Sequence, residues 1–253
     1  MRVLAVFSIK GGVGKTATAV NLAYTATQEL GRVLLWDLDP QGASTFYFRV
    51  RPKVKGGISR LLRRKRALDR YVRGTDYPNL DLVPADASYR YADLVLDALK
   101  KPTRGIKRAL RPLRQHYDTV LLDCPPSVSL LSESIFRAAE ALIVPIVPTT
   151  LSLLTLEQLD GYCAERRREG MAVLPFFSMV DRRKGLHRTI VQRLPEERPE
   201  MLATRIPYSS LVEQMGIHLA PLGVFSPASA VTRTYGELWR EIRRRLGDTI
   251  AAA

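Results

Sequence analysis

A chain of 253 residues with 46% hydrophobic content holds enough material for one large α/β core, and no apolar run in it is long enough to span a bilayer. Lys and Arg number 39 against 25 Asp and Glu, and the resulting net charge of +14 suggests a polyanionic partner, either nucleic acid or an anionic membrane surface. The two cysteines, Cys124 and Cys163, lack metal-ligand spacing, which argues against structural zinc or a disulfide framework and fits a reducing cytoplasm.

Met1-Arg2 runs straight into an apolar stretch, Val3 to Ile9, that reads as a short buried strand with no leader expected ahead of it. Lys10-Gly11-Gly12-Val13-Gly14-Lys15-Thr16 follows, and Ala17 to Leu30 then reads as a helix ending at Gly31. A glycine-rich turn between a strand and a helix start lets backbone N–H groups point inward at phosphates, and the helix dipole adds positive potential there. In that setting Lys15 reaches the β- and γ-phosphates of a nucleotide and the Thr16 hydroxyl binds Mg²⁺.

Arg32 to Trp36 is a second strand, closing on Asp37-Leu38-Asp39-Pro40-Gln41-Gly42. Carboxylates at the C-terminal end of a buried strand stand where open α/β sheets bind ligands. Arg49 to Arg73 then carries eleven Lys and Arg and one acidic residue, Asp69, with Ile58, Leu61, Leu62 and Leu68 spaced as one side of a short helix. Asn79 to Ala85 reads as a strand and Tyr89 to Leu99 as a helix. Lys100 to Arg114 holds seven basic residues and no acidic one, with Ile106, Ala109, Leu110 and Leu113 at the spacing of an amphipathic helix.

Tyr117 to Cys124 is a strongly apolar strand closing on Asp123, placed to hold Mg²⁺, and Asp123-Cys124-Pro125-Pro126-Ser127 continues it as a stiff loop. Cys124 reads as a small buried hydrophobe. Ala141 to Pro148 is a core strand, Leu151 to Arg168 a helix, and Met171 to Val180 a strand. A basic segment with Arg182, Arg183, Lys184, Arg188 and Arg193 comes next. Leu202 to Ile206 is a last short strand, followed by Pro207, a helix near Ser209 to Met215, and a C-terminal helix from Ser229 to Leu246. This alternation predicts a doubly wound, mostly parallel sheet with helices on both faces, a P-loop fold in one domain spanning 1–253.

Ile9 stands where the plain P-loop pattern has its first glycine, and a second lysine, Lys10, opens the box. The order K-G-G-x-G-K-T, followed by D-x-D-P-Q-G and D-x-P-P-S, resembles the deviant Walker A ATPases of the ParA/MinD family. The resemblance is specific in these three boxes and looser after residue 150. It implies that Gly11, Gly12, Val13, Gly14, Lys15, Thr16 and Ala17 hold ATP, that Lys10 reaches across a homodimer to the partner's phosphates, and that Asp39 positions the attacking water. It also implies that Asp37 supports Mg²⁺ together with Thr16 and Asp123, and that Pro207 lies by the adenine. Two positions depart from the family. Ala17 lacks a threonine hydroxyl toward the α-phosphate, and Tyr208 replaces the arginine usual after Pro207.

The implied activity is slow, adaptor-stimulated hydrolysis of ATP to ADP and phosphate. The implied output is ATP-dependent dimerisation and sequence-independent DNA binding that segregates or positions DNA or another cargo, in a cytoplasmic, nucleoid-associated protein with a ParB-like adaptor. DNA contact is expected at Arg182, Arg183, Lys184, Arg188 and Arg193, and at the chain's own cluster of Arg60, Arg63, Arg64 and Arg66. The alternative is a MinD-like positioning ATPase on a membrane, which would use Leu238, Trp239, Ile242 and Leu246 as a lipid-facing stripe. An iron–sulfur carrier would need paired cysteines, and a bacterial tyrosine kinase a C-terminal tyrosine cluster. The chain has neither.

Overall fold

The fold was established from a computed structural model that describes residues 1–52, 55–63, 67–167 and 169–247. In chain order the elements are β1 (Arg2–Val6), α1 (Lys15–Leu30), β2 (Val33–Asp37), α2 (Ala43–Tyr47), α3 (Gly57–Leu62), β3 (Arg73–Gly74), β4 (Leu80–Val83), α4 (Ala92–Asp97), α5 (Gly105–Leu110), β5 (Thr119–Asp123) and α6 (Leu130–Ala138). They continue with β6 (Ala141–Ile146), α7 (Thr150–Arg166), β7 (Ala172–Val180), α8 (Gly185–Glu197), β8 (Arg205–Pro207), α9 (Ser210–His218), α10 (Leu222–Phe225) and α11 (Ala230–Arg245). The eight strands form one sheet in the order β3-β4-β2-β5-β1-β6-β7-β8, parallel throughout except for β3, which runs antiparallel to β4.

The central strands are apolar on both sides because both faces are covered. Successive side chains of a strand point to opposite faces. Val3, Ala5 and Phe7 accordingly enter one core layer, while Leu4 and Val6 enter the other. Leu34 and Trp36 of β2 join the first layer, Val33 and Leu35 the second. The first layer is roofed by α3 to α7 and the second by α1 and α9 to α11. Trp36 lies fully buried in the first layer, its Nε1 donating to the Tyr89 hydroxyl at 3.1 Å, and Trp239 of α11 lies fully buried in the second. A smaller cluster under α8 joins Phe177 to Ile190, Val191, Leu194 and Met201.

Two predicted helices come out broken. The expected helix over 89–99 is a 3₁₀ turn at 87–91 followed by the short α4. The expected amphipathic helix over 100–114 is cut into 3₁₀ turns on either side of α5. Pro102 and Pro112 sit in those flanking turns, where each lacks the N–H that would continue an α-helix. The four apolar residues of the stretch, Ile106, Ala109, Leu110 and Leu113, are nonetheless all buried. Helix α8 was not expected, although His187, Ile190, Val191 and Leu194 follow helical spacing and are buried.

Candidate nucleotide-phosphate site

The site lies at the C-terminal edge of the sheet, where β1, β5 and β2 end side by side. Val6 is in register with Asp123, and Asp37 with Asp123, so the two carboxylates stand on adjacent strands beside the loop that leaves β1. That loop turns through two left-handed glycines, Gly12 (φ 71°) and Gly14 (φ 89°), the second capping α1. Any side chain at these two positions would be strained, and at Gly14 a Cβ would also come within 3.0 Å of Ser178 Oγ. The loop N–H groups and the start of α1, which has no acidic residue in its first turn, leave an electropositive cradle.

Lys15 is only 7% exposed, and its Nζ donates to the Lys10 carbonyl at 3.1 Å, folding back over its own loop. Burial lowers its pKa, while the negative charges of Asp123 and Asp39 pull it back up. Lys10 points away from that cradle. Its Nζ donates to Ser152 Oγ at 3.3 Å, at the start of α7, where Ser152 also pairs with Thr149 Oγ1 at 2.9 Å. The two lysines of the box therefore occupy separate places, one inside the loop and one at its rim.

Asp123 Oδ2 accepts from Ser44 Oγ at 2.7 Å, while Oδ1 is buried without a hydrogen-bond partner among the described residues. Burial pushes this carboxyl up, opposed by the hydroxyls of Ser44 and Thr16 and by Lys15. A buried carboxylate oxygen without a hydrogen-bond partner, near the hydroxyls of Ser44 and Thr16 and beside the phosphate loop, fits a hard divalent cation. No group of three or more His, Cys, Asp or Glu among the described residues could hold a metal by itself. Mg²⁺ held mainly by phosphates and one or two protein oxygens suits this donor set.

Asp37 is fully buried, and both of its oxygens accept hydrogen bonds, three in all. Oδ1 accepts the Asp39 N–H (3.2 Å), and Oδ2 accepts both the N–H (2.8 Å) and the hydroxyl (2.7 Å) of Thr45. Burial and the neighbouring Asp123 raise its pKa. The carboxylate thus braces the turn that carries Asp39. Asp39 itself is half-buried, its Oδ1 receiving the Gln41 N–H at 2.9 Å. Ser44 and Thr45 were not singled out from the sequence. Their signal is two hydroxyl residues one position beyond the D-x-D-P-Q-G box, in the first turn of α2, which tie that box to Asp123 and Asp37. Thr45 Oγ1 also accepts the buried Ala85 N–H at 3.0 Å. Thr45→Val therefore leaves a buried donor unpaired and is expected to cost about 2 kcal/mol. A urea midpoint equal to that of the unaltered protein would refute the bracing role.

On the other side of the loop, Gly14, Ala17, Ser178, Pro207, Val212 and Tyr235 line an apolar cleft. Pro207 lines it together with Tyr208, which donates its hydroxyl to Glu213 at 2.8 Å. Further out, Arg182, Arg183 and Arg188 meet around a wide basic cleft with Arg205 and Tyr208. Arg183 forks onto Asp181 (2.9 and 3.0 Å) and holds that carboxyl down to about 2. Lys184 caps the start of α8 without lining the cleft, and Arg193 lies further along α8, paired with Glu197 at 3.5 Å. Arg60 and Arg63 are exposed on and after α3, whereas Arg64 and Arg66 lie outside the described residues. Cys124 is buried, its thiol pushed well up by desolvation, and it behaves as the packing residue expected.

A glycine loop between β1 and α1, a lysine in its cradle and an aspartate ending the neighbouring strand define a P-loop nucleotide-binding protein of the doubly wound α/β class. An AAA domain family (AAA_31) matches residues 1–169. The chain is 31% identical over 265 residues to the chromosome partitioning protein ParA of Caulobacter vibrioides, covering 100% of this chain and 98% of that protein. It is 28% identical over 247 residues to the sporulation initiation inhibitor protein Soj of Bacillus subtilis, covering 95% and 98%. Among solved structures, a cobyrinic acid a,c-diamide synthase from Mycobacterium smegmatis with bound ADP and magnesium superposes with a TM-score of 0.80 at 28% identity, over 98% of this chain and 96% of that one. The chain belongs to the ParA/MinD family of P-loop ATPases.

Proposed function

We propose that this protein is an ATP-dependent dimerising switch that binds DNA without sequence preference and hydrolyses ATP slowly to segregate or position DNA or another cargo. The observation that carries this reading is the position of Lys10. A lysine needed for phosphate binding within its own subunit would join Lys15 in the cradle, whereas Lys10 rests on Ser152 at the rim, where a second subunit can present its nucleotide.

In this reading the loop from Gly11 to Ala17 wraps the phosphates, Lys15 meets the β- and γ-oxygens, and adenine enters the cleft beside Pro207. Thr16 and Asp123 would hold Mg²⁺, which would offset the negative charge of the phosphates, while Asp37 keeps Asp39 in place to orient the attacking water. A ParB-like adaptor stimulates turnover. The paired basic clefts of Arg182, Arg183 and Arg188, with Lys184, Arg193, Arg60 and Arg63, contact DNA once two subunits join. In this reading the protein works on the nucleoid in the cytoplasm.

Burial of the stripe that a membrane reading requires speaks against the MinD-like alternative. Leu238, Trp239 and Ile242 are packed in the second core layer, and no helix among the described residues is long and apolar enough to cross a membrane. The test is Lys10→Ala. Monomer nucleotide affinity should stay within a few-fold of wild type, while ATP-dependent dimerisation in analytical ultracentrifugation and DNA-dependent turnover should both fall by roughly tenfold or more, as expected when one charge-assisted bond to phosphate is removed. Unchanged sedimentation and turnover would sink the proposal of a lysine acting in trans.

A further inference from the structure

The strongest unassigned feature is a basin at the opposite edge of the sheet. It is lined by Arg104, Lys107, Arg108, Arg111, Arg114 and Arg137 and by no acidic residue. Its position follows from topology. The strands are parallel, and α5 and α6 return antiparallel to them. The C-terminal ends of these helices therefore lie where β5 and β6 begin, at the edge away from the phosphate loop. Helix α5 packs directly on α6, which brings Arg137 across to the α5 cations.

Five of the six side chains are exposed and Arg108 is half-buried. Arg108 is held in place by backbone acceptors, Nε donating to the Arg104 carbonyl at 3.3 Å and Nη2 to the Lys101 carbonyl. None of the six pairs with a carboxylate among the described residues, although elsewhere arginines such as Arg183, Arg193 and Arg198 do. Favourable helix C-termini account for Lys107, Arg108 and Arg137, which stand in last turns. They do not account for Arg104, Arg111 and Arg114 converging on the same concavity. Six like charges held together without counter-charge repel one another, and a polyanion relieves that cost.

We propose that this basin is a phosphate-backbone contact for duplex nucleic acid, complete in a single subunit and independent of bound nucleotide. Its breadth favours a long, regularly charged polymer over a short acidic peptide. Helix α3, with Arg60 on it and Arg63 after it, packs on α5, so the positive surface continues past the basin on that side, whereas the turn at 68–71, which packs on the turn at 111–113, carries Asp69 as well as Arg70. The basin faces away from the edge that carries Lys10, so closing a dimer over the phosphate loops leaves it open. The inference rests on the DNA-binding reading above but differs in its nucleotide requirement. The Arg182 clefts act when two subunits join, whereas the far basin keeps a lone subunit loosely on DNA.

The test is fluorescence anisotropy of nucleotide-free, full-length protein on two unrelated DNA duplexes across a salt series. Wild type should bind both equally, with log affinity falling linearly with log salt. Arg104→Gln, Arg111→Gln and Arg137→Gln together should weaken both equally and make the slope shallower by about 3, close to one for each phosphate left unneutralised. Lysine at the same three positions should keep the wild-type slope, since charge is what the backbone requires, and it controls for misfolding. The proposal is overturned if wild type fails to bind duplex without nucleotide, if the glutamine variant binds as wild type does, or if the lysine variant fails as fully as the glutamine one. Retained DNA affinity with lost binding to poly-glutamate overturns it in favour of an acidic protein partner. Absence of ATP-dependent dimerisation, with nucleotide-free DNA binding intact, would sink the switch reading and leave the basin standing.

Discussion

Lys15→Ala is expected to lower ATP affinity by at least about 100-fold, the loss of roughly 3 kcal/mol carried by a buried ammonium meeting two phosphates. Lys15 sits almost enclosed by its loop, with a backbone carbonyl as its hydrogen-bond acceptor and Asp123 and Asp39 as its negative neighbours. Its burial disfavours the charged form, so the unliganded protein holds the ammonium at a cost that an anion can repay. Alanine removes both the cost and the attraction. The fold should therefore survive, as checked by circular dichroism, while calorimetry with ATP shows little or no binding. An affinity equal to that of wild type would remove Lys15 from the phosphate site.

Asp39→Ala separates binding from chemistry. Asp39 lies on the turn after β2, held by its own N–H on Asp37 and by its carboxylate on the Gln41 N–H, and it does not line the apolar cleft beside Pro207. ATP affinity should remain within about threefold of wild type, while kcat falls by roughly 10²- to 10⁴-fold, the range for losing a group that orients or deprotonates a nucleophile. With ATP and Mg²⁺ the variant should accumulate as dimer. Phosphate release and sedimentation on the same sample decide it. Hydrolysis at the wild-type rate would deny Asp39 any part in turnover.

The strands were legible because β1, β2, β5 and β6 are short apolar runs closed by glycine, aspartate or proline, a pattern that a buried parallel sheet requires. The three nucleotide boxes were legible for a related reason: each is a polar signature set directly at the end of such a run. What stayed hidden depends on long-range register. Nothing local says that Ser44 reaches Asp123, 79 positions away, or that Lys10 rests on Ser152, 142 positions away. The stretch over 100–114 shows the limit of periodicity, since its apolar spacing named the buried residues correctly while Pro102 and Pro112 decided the backbone. Read locally, its seven positive charges only accompany the spacing of an amphipathic helix. Only the packing of α5 on α6 adds Arg137 and turns that face into a concavity.

The two tryptophans of the chain are divided between the core layers, Trp36 under the roof of α3 to α7 and Trp239 under that of α1 and α11. Trp36 immediately precedes Asp37, and its indole is tied to Tyr89. Trp239 is one helical turn beyond Tyr235, which lines the apolar cleft beside Pro207. Each layer thus carries its own optical reporter, one beside the carboxylate turn and one behind the apolar cleft. In a Trp239→Phe protein, tryptophan emission excited apart from the tyrosines follows the first layer alone, and in a Trp36→Phe protein the second. Stopped-flow mixing of the two with ATP resolves whether the base or the phosphates seat first, with no added dye.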